Sequence, residues 1–258
     1  MARTKYIVFD FDGTISTLRY GWEGIMQPLM LEMICPEGNY SEELVKKVAD
    51  YIDASTGIQT AYQMQWLAEE VEKATGKAED VWYYKDCYNQ KILDMVAQKK
   101  NGIREGKVAK EEYLMKGSVE FLKMLSEKGC RMFLASGTDD VDVKEEARFL
   151  GVDGYFEEIK GAPAGEFGCS KELVIRRLIE QAGDEADLVV IGDGKVEIQL
   201  GKQSGALSIG LASDEAAREG INLHKKARLE KAGADVIVGD FLETEKLVNM
   251  IMEGKADA

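Results

Sequence analysis

Val8-Phe9-Asp10-Phe11-Asp12-Gly13-Thr14-Ile15, near the start of the chain, decides how the rest is read. Tyr6, Ile7, Val8 and Phe9 form a short apolar run of strand-forming residues, and Gly13 marks the turn that follows. A buried strand does not ordinarily end in two acids, because Asp disfavours strands and an unpaired charge is costly to desolvate. A bound cation is the obvious compensating partner. A carboxylate on a strand end beside a cation is suited to nucleophilic attack on phosphorus.

Outward from this stretch, the pattern of strand, turn and amphipathic helix resumes at about Gly117. The apolar runs predict strands over Ile7–Phe11, Met132–Ala135, Tyr155–Ile159, Leu188–Ile191, Ala206–Ile209 and Val236–Val238. Helical spacing is read over Val119–Lys128, Val143–Leu150, Glu172–Gln181 and Asp214–Glu219. This alternation predicts an α/β fold, a Rossmann-like parallel sheet with helices on both faces and a site at the carboxyl ends of the strands. Residues 18–110 differ, with almost no strand signal. Ser41 reads as an N-cap before Leu44, Val45, Val48, Ala49 and Ile52, and further helices are expected over Gln59–Ala74 and Glu79–Gln98. The expected organisation is a core of residues 1–17 and 111–258 with an α-helical insertion over 18–110. Its many Met, Tyr and Trp residues read mostly as the insertion's own core, with a few closing over the acidic loop as the alternative.

Composition narrows the partners. The 258-residue chain carries 47 acidic against 33 basic side chains, a net charge of −14. Such a surface repels nucleic acid and anionic membranes. A phosphate-binding site must then create its own local positive field. No segment is long and apolar enough to span a bilayer, and Met1 to Lys5 lead into the first strand without a targeting segment. Cys35, Cys87, Cys130 and Cys169 have no paired spacing, and read as reduced thiols of a cytoplasmic protein. The single histidine, His224, excludes a multi-histidine metal centre and reads as a surface residue.

Three further signals fall on strand ends or on the helix starts that follow them. In Phe133-Leu134-Ala135-Ser136-Gly137-Thr138, an apolar strand meets a hydroxyl and a glycine. Ser136 Oγ and the Gly137 amide are candidate donors to a phosphate, and a plain turn is the alternative. Lys171 follows Ser170, a candidate N-cap, and a lysine in the first helical turn opposes the helix dipole unless its amine has another task. In Val189-Val190-Ile191-Gly192-Asp193-Gly194-Lys195-Val196-Glu197, a buried strand again runs into acids. Asp193 and Glu197 are hard oxygen ligands of the kind that suits Mg²⁺.

These four motifs, in this order, resemble those of the haloacid dehalogenase (HAD) superfamily, and the resemblance spans the whole chain. It implies the helical C1 cap of that family for residues 18–110. It further implies Asp10 as nucleophile and Asp12 as general acid and then base. Mg²⁺ would be held by Asp10, the Asp12 backbone carbonyl and Asp193, with Glu197 directly or through a water. Glu197 departs from the Asp found in many members. Ser136, Gly137 and Lys171 would hold the phosphoryl group. Asp12 favours phosphate esters, since members cleaving carbon–halogen or carbon–phosphorus bonds usually lack an acid there. The implied function is a Mg²⁺-dependent phosphatase acting on a small phosphorylated metabolite such as a sugar phosphate. A phosphomutase of the β-phosphoglucomutase type and a non-catalytic phosphate-ligand-binding protein are the alternatives. Arg19 reads either as a contact to a polar group of the substrate or as a surface arginine.

Overall fold

The computed structural model describes residues 3–182 and 186–254. Six strands, β1 (Thr4–Phe9), β2 (Arg131–Asp139), β3 (Glu158–Ala162), β4 (Ala186–Gly192), β5 (Leu207–Leu211) and β6 (Val236–Val238), form one sheet in the order β3-β2-β1-β4-β5-β6. Every pairing is parallel. Phe9 aligns with Leu134 on one side and with Ile191 on the other, so the carboxyl ends of β1, β2 and β4 lie together. The strand order reverses between β1 and β4, and an open α/β sheet forms its crevice at such a reversal.

Both faces of the sheet are covered, as a parallel sheet requires. Ile7, Phe9, Met132, Leu134, Val189 and Ile191 point to one face, toward helices α5 (Ser118–Glu127), α6 (Asp140–Leu150) and α10 (Thr244–Glu253). The alternate residues Tyr6, Val8, Phe133, Ala135 and Val190 meet Val174, Ile175 and Leu178 of α7 (Ser170–Ala182) on the other face. The period of two in one unbroken apolar run therefore feeds two cores at once. Helices α8 (Lys195–Gln203) and α9 (Leu223–Ala232) complete the layers.

Between β1 and α5 lie four helices, α1 (Glu23–Ile34), α2 (Glu42–Ala54), α3 (Thr60–Thr75) and α4 (Val81–Arg104). They bury an apolar cluster of their own, with Met26, Met30, Val48, Met64, Leu67 and Ile92 at its centre. Ser41 Oγ accepts the Leu44 N–H, and Asp80 Oδ1 accepts the Trp82 N–H, so α2 and α4 start at side-chain caps. Tyr51 and Trp66 stack at 3.9 Å between centroids. The methionines and aromatics read as core are largely that, whereas Tyr62 and Tyr83 are exposed.

The structure departs from the sequence reading in several places, β1 ending at Phe9 rather than Phe11 and β2 running on through Ser136 and Thr138 to Asp139 among them. Strand β3 begins at Glu158, three residues later than expected, because Asp153–Tyr155 form a 3-10 turn whose Tyr155, with Phe156 after it, packs against the core. Helix α1 contains Pro28, a helix breaker, and the burial of Met26, Leu29 and Met30 outweighs its cost. Asp214–Glu219 is a turn with Arg218 at φ 62°, and the helix follows at Leu223. Helix α10 carries Leu247, Val248 and Ile251 into the core. Among the described residues, no helix is long and apolar enough to cross a membrane.

Candidate active site

The chain continues from β1 into Asp10, whose backbone N–H donates to the Ile191 carbonyl at 2.9 Å and keeps the residue in line with the sheet. Asp193 leaves the end of β4 beside it, and Glu197 projects from the first turn of α8. One carboxylate oxygen from each of Asp10, Asp193 and Glu197 lies within 4.8 Å of the others, and all three residues are buried. Lys171, in the first turn of α7, reaches across with its Nζ 2.9 Å from Asp10 Oδ1 and 2.7 Å from Glu197 Oε2. The amine that opposes the α7 dipole thus neutralises two carboxylates. Glu197 also accepts the Gly194 N–H at 2.5 Å, which fixes its carboxylate at the helix start. Gly13 is essential to this packing: it sits at φ +76°, and a Cβ there would overlap the Asp193 carboxylate.

Asp12 lies on the β2 side. Its Oδ2 accepts the Thr138 hydroxyl at 2.8 Å and the Ser136 hydroxyl at 3.3 Å, while its buried Oδ1 has no hydrogen-bond partner. Ser136 and Thr138 fall where the β2–β3 register is interrupted, between Ala135 and Asp139. An irregularity of this kind re-aims side chains out of the sheet plane. Ser136 therefore does not stand free for a ligand: it is buried, its Oγ donates to Asp12 and accepts the Thr138 N–H, and its carbonyl is taken by Ser170. Gly137 lines the cavity, and a Cβ there would meet the Ile58 carbonyl of the helical insertion.

Arg19 is not a surface residue. It is buried, with Nη2 donating to Glu146 Oε1 at 2.6 Å and Nε shared between both Glu146 oxygens at 3.2 Å. Asp142 lies 3.6 Å from Nη2, and Asp12 Oδ1 lies 4.0 Å from Nε. His224 is exposed, as expected, and the four cysteines are free. Sequence reasoning missed Thr138, Glu146 and Lys225. The Nζ of Lys225, on α9, spans Asp193 Oδ2 at 2.7 Å and Glu215 Oε1 at 2.5 Å. Thr138 was within reach, next to Gly137 at a strand end. Glu146 and Lys225 carry no local signal, because only the fold brings them in.

The electrostatics separate the carboxylates. Burial holds Asp10 well above the usual aspartate range, against the opposing pull of Lys171. Burial also raises Asp12, with Arg19, Thr138 and Ser136 working against it. Asp193 moves the other way: burial would raise it, but Lys225, Arg228 and Lys171 bring it below its ordinary value. Asp10, Asp193 and Glu197 form a set of buried hard oxygen donors that fits a small divalent cation. The site can bring a carboxylate nucleophile, a second carboxyl group and an ammonium ion to one point.

A cavity of about 100 Å³ opens over these groups. Its far wall comes from the insertion: Thr56, Gly57 and Ile58 between α2 and α3, Trp22, and Tyr88 of α4. The insertion is tied to the core around this cavity. Gln59 Nε2 donates to the Glu166 carbonyl at 2.8 Å, and its Oε1 accepts the Gly168 N–H at 2.9 Å. Phe167 packs against Tyr62 and Trp82, and Lys85 pairs with Asp139.

A model of the haloacid dehalogenase-like hydrolases matches residues 4–205. No curated protein sequence matches the chain. Among solved structures, a predicted phosphoglycolate phosphatase from Haemophilus somnus is 18% identical with a TM-score of 0.62, covering 96% of this chain and 99% of that one. A β-phosphoglucomutase from Clostridium difficile is 16% identical with a TM-score of 0.62, covering 98% of both chains. A predicted phosphatase from Clostridium acetobutylicum is 18% identical with a TM-score of 0.59, covering 97% and 99%. At these identities the likeness is one of fold.

Proposed function

Because the chain belongs to the haloacid dehalogenase-like hydrolases, we propose that it is a Mg²⁺-dependent phosphatase of small phosphate monoesters, working through a phosphorylated Asp10. The observation that carries this reading is the convergence of Asp10, Asp193 and Glu197 within 4.8 Å, with Lys171 bridging two of them. An all-oxygen donor set supports Mg²⁺, with Asp10, Asp193 and the Asp12 carbonyl as its ligands and Glu197 joining directly or through a water. When bound, the cation neutralises charge on the phosphoryl oxygens and on Asp10.

The protein's own residues carry the steps. A carboxylate oxygen of Asp10 attacks phosphorus, and the ester P–O bond breaks. The protonated Asp12 gives its proton to the departing alcohol oxygen. Asp12, now ionised, takes a proton from a water whose oxygen attacks the same phosphorus, and the Asp10–phosphorus bond breaks to release inorganic phosphate. Lys171 and the Gly137 amide hold the phosphoryl oxygens. Ser136 and Thr138 orient Asp12, which is a narrower role for Ser136 than direct phosphate binding.

Residues 18–110 act as a cap on the core of residues 1–17 and 111–258. The cavity lies between them, which supports a small phosphorylated metabolite over a macromolecule. The net charge of −14 speaks against nucleic-acid and membrane partners, and the unpaired thiols fit a cytoplasmic protein. The test is phosphate release from a panel of phosphorylated metabolites with Mg²⁺, by the wild type and by Asp10→Asn. Release by the wild type alone is expected. Equal release by both, or an isomerised sugar phosphate with little free phosphate, overturns the reading.

A further inference from the structure

We propose that the esters accepted by this site carry no second anionic group, and that the Arg19–Glu146 pair enforces that choice. The proposal rests on the phosphatase reading above and narrows its substrate class to phosphate monoesters of neutral, hydroxylated alcohols.

Four carboxylates, Asp10, Asp12, Asp193 and Glu215, line the cavity against two cations, Arg19 and Lys171. Neither cation is available to the alcohol part of a substrate. Lys171 is bound to Asp10 and Glu197, beside the phosphoryl position. Arg19 points into the cavity wall already neutralised: Glu146 takes its Nε and Nη2, and Asp142 and Asp12 flank it. Glu146 is only 1% exposed, so the pair cannot exchange readily for water. Cations further out are also engaged, Lys225 with Asp193 and Glu215, Lys85 with Asp139, Arg228 with Asp53, and Lys99 with the Leu18 and Tyr20 carbonyls.

A carboxylate or second phosphate on the leaving group would therefore be desolvated beside Asp12 and Glu215, and among the described residues lining the cavity no unengaged cation remains to receive it. Like-charge juxtaposition of this kind rejects a ligand more strongly than a missing contact does. Hydroxyl groups meet a different wall. Thr60, Gln63 and Tyr88, which also line the cavity, can both donate to and accept from them. The same argument disfavours a bisphosphate, which needs a second cationic seat.

The test uses two ligands that differ only by CH₂OH against carboxylate, glycerol 3-phosphate and 3-phosphoglycerate. Each competes against hydrolysis of p-nitrophenyl phosphate by the Mg²⁺-loaded protein. Glycerol 3-phosphate is expected to compete at a concentration at least about tenfold lower. In Glu146→Gln, which returns the charge of Arg19 to the cavity, that ratio should contract by about threefold or more. Asp142→Asn repeats the test more gently, since Asp142 is partly exposed and 3.6 Å from the guanidinium. Equal or tighter competition by 3-phosphoglycerate overturns the proposal while leaving the phosphatase reading intact. A ratio unmoved in both folded variants removes the Arg19–Glu146 pair as its cause. Absence of any p-nitrophenol release overturns the phosphatase reading, and this proposal with it.

Discussion

Replacing Lys171 by Met keeps the length and apolar stem of the side chain but removes the charge between Asp10 and Glu197. Both salt bridges are short, 2.9 and 2.7 Å, and Lys171, Asp10 and Glu197 are almost fully withdrawn from water. Breaking a buried pair by removing one partner costs about 3–5 kcal/mol, because the remaining charge is uncompensated. For a chain of this size, that lowers the midpoint of thermal unfolding by roughly 10 °C. Two features identify the origin of the loss. Asp10 is already raised by burial with Lys171 opposing, so without the lysine its folded pKa moves further above the unfolded value. A raised folded pKa means that protonation favours the folded state. The deficit should therefore be largest at high pH and fade as pH falls through the raised folded pKa values of Asp10, above the ordinary aspartate range. A divalent cation offered to the same carboxylates should also recover part of the deficit, and more so in the variant than in the wild type. The assay is thermal unfolding across pH, with and without Mg²⁺. A variant as stable as the wild type, or one whose deficit ignores both pH and cation, refutes the account of this cluster.

Three other perturbations test separate parts of the structure. Gly13→Ala places a Cβ against the Asp193 carboxylate at a positive φ, and should raise the Mg²⁺ concentration for half-maximal phosphate release about tenfold or more, read by metal titration of activity. Gln59→Ala removes two bonds that fasten the insertion to the Glu166–Gly168 loop. It should cost about 1 kcal/mol locally and increase the rate of chymotryptic cleavage after the exposed Phe167 about fivefold. Glu157 is held below its ordinary value near 4.5 by Arg131, which donates through Nε at 2.8 Å and Nη2 at 2.6 Å. Because the folded pKa is depressed, its contribution is complete above about pH 4.5 and is lost as pH falls through the lower folded value. Both side chains are partly exposed, so Glu157→Gln should lose less than about 1 kcal/mol of urea stability at pH 7, and less again at pH 3.

The part of this protein that is legible in its sequence is the part where one short segment both makes the strand and delivers the acid. Tyr6–Phe9 with Asp10, and Val189–Ile191 with Asp193, combine an apolar run with a charge that the run does not tolerate. The conflict itself marks the site. Lys171 was readable for a similar reason, as a cation at the wrong end of a helix. Arg19 was not readable, because its meaning depends on Glu146, which lies 127 residues away. The period of α6 marks Glu146 only as a charged residue. Ser136 was legible by position, but its bond to Asp12 was not, because the register break after Ala135 turns its hydroxyl toward that carboxyl group. In the fold, α1 was hidden by Pro28, and the start of β3 was mistaken because Tyr155 and Phe156 look like strand residues but pack from a turn. In each case tertiary burial outweighed the local preference.

The central claim is that Asp10 carries the phosphoryl group between two steps. Mixing Mg²⁺ and p-nitrophenyl phosphate, whose leaving group departs without a proton, with Asp12→Asn, which cannot activate the water, should leave the first step running and trap the second. Rapid quenching and peptide mass spectrometry should then locate one added phosphoryl group on the segment containing Asp10, with none on the corresponding Asp10→Asn, Asp12→Asn peptide. Turnover by the wild type with no phosphorylated peptide in the Asp12→Asn variant, or a phosphoryl group on any other residue, would contradict the account.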